Sequence, residues 1–221
     1  SSNFFEYLIL FISDLIDNLK VKFPYLSLLV SGGHTQIILV EDYLNMKIIG
    51  ETRDDAVGEA FDKSAKILGL EYPGGPLLDK LAKNGNPLKY TFGKTKVPNL
   101  DFSFSGIKTS FLYFIDNQIK KNKNFVNENL EDIASSIQKS LVDMLIEKII
   151  IASEKYNISE ISISGGVAAN SLLRKTIKNY SKELKWNSYF PKIEYCTDNA
   201  AMIANYANYM FLDNQFSSYN I

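Results

Sequence analysis

The sequence predicts an α/β protein, sheets flanked by helices, and three stretches carry that reading. Residues 25–30 and 35–40 are two apolar, β-rich runs separated by Ser31-Gly32-Gly33-His34, the pattern of strand, tight turn and strand. Residues 131–156 set Ile133, Ile137, Leu141, Met144, Leu145 and Ile149 at helical spacing. Residues 158–164 alternate as a strand, Gly165-Gly166 turn the chain, and residues 168–180 continue as a helix.

The remaining elements follow in order. Residues 4–16 are strongly apolar but interrupted by Glu6 and Asp14, and the clean run 7–12 falls far short of the roughly 20 residues a membrane span needs. No basic residue precedes it, which argues against a signal peptide. An amphipathic or buried helix within residues 1–22 is expected, with no membrane partner. The opening Ser-Ser, in place of Met, points to a fragment or a processed product. Residues 54–68 read as a helix with small and apolar positions at Ala56, Ala60, Ala65 and Leu68. Tyr72-Pro73-Gly74-Gly75-Pro76 break it, and a second helix is expected near Leu77. Residues 85–101 are loop-like, and 198–211 form a closing helix. The chain shows no internal repeat, low-complexity tract or heptad array.

Composition bounds the function. A chain of 221 residues with 46% hydrophobic and 22% charged residues can fill one sizeable core. The formal net charge of −1 supplies no global field toward nucleic acid or anionic lipid, so any RNA contact must be local. Lys120, Lys121 and Lys123 form one candidate patch, for which a solvated loop is the preferred reading. A single cysteine, Cys196, excludes an internal disulfide and a metal site built from Cys ligands, and suits a reducing compartment.

Three segments carry chemistry. In Ser31-Gly32-Gly33 the glycines let backbone N–H groups approach an oxyanion or phosphate without a Cβ in the way, although a plain hairpin turn has the same signature. In the segment 161–170, ISISGGVAAN, two glycines stand between a buried strand and a helix N-terminus, a place suited to phosphate or the sugar of a nucleotide. In the segment 54–63, DDAVGEAFDK, four carboxylates fall within less than three helical turns, with Glu59 and Asp62 on one face, and Gly58 suits close packing. Together they suggest a nucleotide cleft.

At these residues the chain resembles the tRNA threonylcarbamoyladenosine transferase (TsaD) family. The strings LLVSGGHTQ (28–36), GEAFDKSAKILGLEYPGGP (58–76), DFSFSGIKT (101–109), SGGVAANSLLR (164–174) and CTDNAAMIA (196–204) are similar to successive motifs of that family, in family order and spacing. The resemblance implies the actin-like ATPase and sugar kinase superfamily, with a ribonuclease-H-like core. It places the substrate-binding lobe at residues 23–221, leaving 1–22 unlike the family and most of the N-terminal lobe without a counterpart. It implies transfer of a threonylcarbamoyl group from threonylcarbamoyl-AMP to the N6 nitrogen of an anticodon-loop adenosine, in tRNAs that read codons beginning with A. The implied partners are that adenylate, tRNA, a related scaffold subunit and a small ATPase, in a cytoplasmic setting or an organelle matrix. The other reading of the same motifs is a truncated, non-catalytic member that binds nucleotide or partner proteins. A metalloprotease is disfavoured, because no His-Glu-x-x-His is present.

Matched motif by motif, Leu29, Val30, Ser31, Gly32 and Gly33 would line the acyl-phosphate end of the ligand. Asp62, Gly75 and Asn170 would hold the nucleoside, with Asp79 a further candidate at the ribose. Asp198 matches the carboxylate ligand of the single iron or zinc ion the family implies, and would equally serve as a helix N-cap. The two histidines of the family's His-x-x-x-His would fall on Glu6 and Leu10, and His34 is the only histidine in the sequence. Metal binding is therefore expected to be weak or absent.

Overall fold

The computed structural model describes residues 21–196 and 200–214. The helix expected in 1–22 lies almost wholly outside the described residues, and Asp198 lies outside them altogether. Five strands form one sheet in the order β3-β2-β1-β4-β5. β1 (Tyr25–Val30), β2 (Thr35–Val40) and β3 (Met46–Glu51) run antiparallel, while β4 (Glu160–Ser164) and β5 (Asn187–Tyr189) lie parallel to β1. This is the arrangement of a ribonuclease-H-like core.

Strand periodicity divides β1 between two cores. Leu26, Leu28 and Val30 face the larger one, and Tyr25 and Leu29 face a smaller cluster with Ile38 and Val40. The helices of the larger face are α1 (Val57–Ile67), α2 (Gly74–Ala82), α3 (Ser105–Lys121), α4 (Phe125–Tyr156) and α5 (Ser171–Glu183). Phe61, Phe102, Phe104 and Phe111 are almost wholly buried among them. A last helix, α6 (Ala200–Leu212), follows. Among the described residues no helix is long and apolar enough to cross a membrane.

Several boundaries differ from the sequence reading. α1 begins at Val57, because Asp54 and Asp55 are spent on distant partners and the first helical amides find acceptors in the hairpin. Val57 N–H donates to Thr35 Oγ1 (2.8 Å) and Gly58 N–H to the Ser31 carbonyl (3.1 Å). α2 starts at Gly74, three residues before Leu77. Pro76 costs nothing there, since first-turn amides have no intrahelical acceptor. α4 begins at Phe125, with non-helical backbone at Asn129, and ends on Asn157 in the left-handed region (φ 52°). β3, α3 and β5 emerge beside the expected elements.

Candidate functional site

The β1–β2 turn is fastened to α1. Gly58 sits so close to it that a Cβ would stand 2.6 Å from the Ser31 carbonyl oxygen, which only glycine avoids. Within the turn, Ser31 Oγ accepts from the Gly33 N–H (3.3 Å) and the His34 N–H (3.0 Å). Those two amides are thus turned onto their own loop, where an oxyanion cradle would need them pointing outward. Gly32 and Gly33 have open space where a Cβ would stand, so their bareness answers to no packing of the protein itself.

The second turn follows β4. Gly165 adopts φ 90°, ψ 169°, and the chain then makes a short 3-10 turn, Gly166–Ala169, before α5. Asn170 caps α5: its side-chain oxygen accepts the Leu173 N–H (3.0 Å), and its amide nitrogen donates to Gln138 Oε1 (3.0 Å). Arg174 closes the motif by donating to the carbonyls of Ala168 and Pro191, both at 2.6 Å.

Between the turns, Asp62 on α1 meets the start of α2. Its Oδ1 accepts the Gly75 N–H at 2.9 Å, an amide left free by its place in the first helical turn. The other carboxylate oxygen has no partner among the described residues and is available to a hydroxyl. Asp79 accepts from the Ser171 hydroxyl (2.7 Å) and amide, tying α2 to α5.

Gly32, Asp62, Gly75, Asp79, Gly166 and Asn170 converge on one cavity of about 450 Å³, floored in part by Gly58 and Phe61. Both glycine turns therefore face the same cleft, as the motif positions imply. Leu29 and Val30 do not line it: both are fully buried in β1, and their contribution is to hold the turn. Ser31 and Gly33 lie in that turn without lining the cavity. Lys120 and Lys121 end α3 and are exposed with Lys123, none of them at the cleft. Among the described residues no group of three or more His, Cys, Asp or Glu side chains could hold a metal ion. Tyr72, at the rim, is a lining residue the motif reading did not single out, although it stands inside the 58–76 motif.

The acidic cluster of 54–63 proves to be mainly scaffolding. Glu59 pairs with Lys63 (2.7 Å), and Asp55 pairs with Lys63 (2.8 Å) and Lys108 (2.7 Å). Asp54 accepts from the Ser103 and Ser105 hydroxyls and the Phe104 amide (2.8 Å), capping α3 from fifty residues away. Burial alone would raise the Asp54 pKa, but those hydroxyls and the amides of Phe104 and Ser105 outweigh it and hold it below its ordinary 3.8. A carboxylate depressed in the folded state stabilises above its unfolded pKa and loses that contribution as pH falls through the folded value. Asp54→Ala is expected to cost about 0.5–2 kcal/mol near pH 7, the loss of a helix cap, with the gap to wild type narrowing below pH 3.8. Urea melts across that range check it; a gap that widened in acid would contradict the assignment.

The family model for tRNA N6-adenosine threonylcarbamoyltransferase matches residues 8–205. The chain belongs to this family. The match reaches into the segment 1–22 that the motifs left outside the resemblance. Proteins named tRNA N6-adenosine threonylcarbamoyltransferase from Riemerella anatipestifer and Cytophaga hutchinsonii are 52% and 46% identical over 208 and 210 residues, covering 94% and 95% of this chain. A relative of the same name from Kosmotoga olearia is 52% identical over 186 residues, 83% of this chain and 54% of its own. The chain spans about three-fifths of the length of the first two, 61% in each case. Among solved structures, full-length HypF in its phosphate- and nucleotide-bound form superposes over 95% of this chain and 43% of its own, with a TM-score of 0.72 at 12% identity. The Clostridium difficile activator of 2-hydroxyisocaproyl-CoA dehydratase, with bound ADPNP, covers 96% of this chain and 71% of its own at 0.51 and 14%. At such identities the likeness speaks for the fold alone, that of the actin-like ATPases.

Proposed function

We propose that the chain supplies the nucleotide-binding lobe of a tRNA threonylcarbamoyltransferase, with the cleft between the two glycine turns holding the AMP portion of threonylcarbamoyl-AMP. One observation carries the reading: in a member of this family, the motif residues Asp62, Gly75 and Asn170 meet at one cavity, with a carboxylate oxygen of Asp62 left to accept from a ribose hydroxyl. In the reaction the adenosine N6 forms a bond to the carbamoyl carbon, the bond from that carbon to the phosphate oxygen breaks, AMP leaves, and the N6 proton passes to solvent. The residues of this chain bind and orient the adenylate; Asp198, the carboxylate position of the family's metal, lies outside the described residues. The 46–52% identities and the uninterrupted motif series support this reading over a non-catalytic module. A scaffold subunit, a small ATPase and a cytoplasmic setting belong to the same proposal.

Calorimetry with AMP tests it. Asp62→Asn keeps an acceptor for the Gly75 amide but removes the charge, and hydrogen bonds to charged groups are worth about 1.5–3 kcal/mol. AMP affinity is expected to fall about 10- to 150-fold. Wild-type protein that takes up no AMP at all would refute the reading.

A further inference from the structure

The nucleoside cleft does not end at its rim. A second hollow of about 680 Å³ shares Gly32, Asp62 and Tyr72 with it, and Lys63 and Lys66 line that second hollow. The same two lysines line a third, of about 370 Å³, with Lys108 and Thr109. The three adjoin one another as a groove along α1 through shared lining residues, and Tyr72 stands at the first junction.

Tyr72 is 86% exposed, more than any other large hydrophobic side chain among the described residues, and it stacks on no other ring there. The backbone beside it is firmly held. Gly74 is buried so tightly under α1 that a Cβ would stand 2.3 Å from the Ala65 Cβ, and the Gly75 amide is bonded to Asp62. A solvent-facing aromatic ring on a fixed backbone, beside a nucleoside site, is a platform for a second base. The charges along the groove are graded. Glu59 and Glu71 line the second hollow, where a phosphate would be repelled. Lys63 and Lys108 are committed to Asp55 and Glu59, while Lys66 makes no ion pair among the described residues.

We infer that this groove receives the RNA strand, with the acceptor base unstacked from its neighbours and laid on the Tyr72 ring, and a neighbouring phosphate against Lys66 on the side of the third hollow, away from Glu59 and Glu71. The inference rests on the transferase reading, since that reaction must bring an RNA adenine beside the bound adenylate. Enzymes that act on a base take it out of its stack, and an aromatic side chain replaces the stacking lost.

The test uses the full chain with two probes, a fluorescent anticodon stem-loop RNA followed by anisotropy and AMP followed by calorimetry. Tyr72→Ala is expected to weaken RNA binding about 5- to 150-fold, the range for loss of one base–aromatic stack. Tyr72→Phe should bind RNA as wild type does. Lys66→Ala should weaken it and lower the salt dependence by about one phosphate contact. AMP affinity should stay within about twofold for Lys66→Ala, which lies outside the nucleoside cavity, and for Tyr72→Ala it should fall by far less than RNA affinity does. RNA affinity unmoved by Tyr72→Ala would overturn the inference, as would an equal loss of AMP, which would place the ring inside the nucleotide cleft. AMP binding without any RNA binding by wild type defeats the groove and spares the cleft. RNA binding that follows Tyr72 without AMP binding does the reverse.

Discussion

Gly165→Ala is expected to lower the stability of the chain by about 2–6 kcal/mol and to dismantle the cleft along with it. Two independent costs add. The backbone at Gly165, φ 90° and ψ 169°, lies where residues with a side chain are strained by about 1–3 kcal/mol. A Cβ there would also stand 2.4 Å from the Val30 carbonyl oxygen and 2.8 Å from its carbon. Those atoms are backbone at the end of the central strand, where Val30 pairs with Thr35 of β2, so they cannot swing away as the end of a flexible side chain would. Overpacking of this kind costs typically about 1–3 kcal/mol. Set against the roughly 5–15 kcal/mol of a whole domain, the sum is severe. Gly166→Ala is the matched control: no atom lies within 4 Å of its Cβ position, and its φ is not left-handed. Thermal melts of the two variants should separate by several degrees, on the order of 2–4 °C per kcal/mol for a chain of this length. Coincident melts would show that the turn relaxes to admit a Cβ.

That contrast also marks what was legible in the residues. The β1–β2 hairpin could be read to the residue because two apolar runs flank a glycine turn, and both features are local. The start of α1 could not. Asp54 and Asp55 are the residue types that open helices, yet their carboxylates serve an amide and two lysines elsewhere in the fold. Lys63 is close by, but Phe104 and Lys108 stand about fifty residues away, and nothing local announces them. α3 had a usable signal in Ile107, Phe111 and Ile115, buried at intervals of four, but the stretch reads only as a family motif, with no element assigned to it. β5 is three residues, too short and polar to show any period. In the site, motif position located Asp62, Gly75 and Asn170, whereas the bond joining Asp62 to Gly75 depends on how α1 meets α2. Leu29 and Val30 belong to the same motif as Gly32, but strand alternation buries their side chains in the two cores. Tyr72 lay within a helix break and the 58–76 motif without a role assigned to it, because exposure and cavity sharing are properties of the folded surface.

The 221-residue chain, purified without chelators, is expected to carry far less than one equivalent of iron or zinc. A tight site for such ions needs three or four protein ligands, and imidazole or thiolate supplies most of the affinity. The sequence holds one histidine and one cysteine. His34 is in the β1–β2 turn, and Cys196 is buried with its sulfur 3.5 Å from Arg174 Nη2 and 3.6 Å from the Lys192 carbonyl, against a cation that a metal would have to displace. That leaves Asp198, a single hard ligand, where the family pattern pairs the carboxylate with two imidazoles. Metal analysis gives the first readout, and zinc titration followed by thermal melting the second. An ion that binds only the folded state raises stability by about 2.7 kcal/mol at one hundred times its Kd, so a real site would move the melt visibly. No such shift is expected for the chain as it stands. The double substitution Glu6→His with Leu10→His supplies two imidazoles four residues apart, the spacing at which both lie on one face of a helix. It should raise both the bound metal and the melting point, and adding Asp198→Ala should remove the gain. One equivalent of metal in the unsubstituted chain would prove the ligand count wrong, and would direct attention to residues 1–20 and 197–199 for the donors.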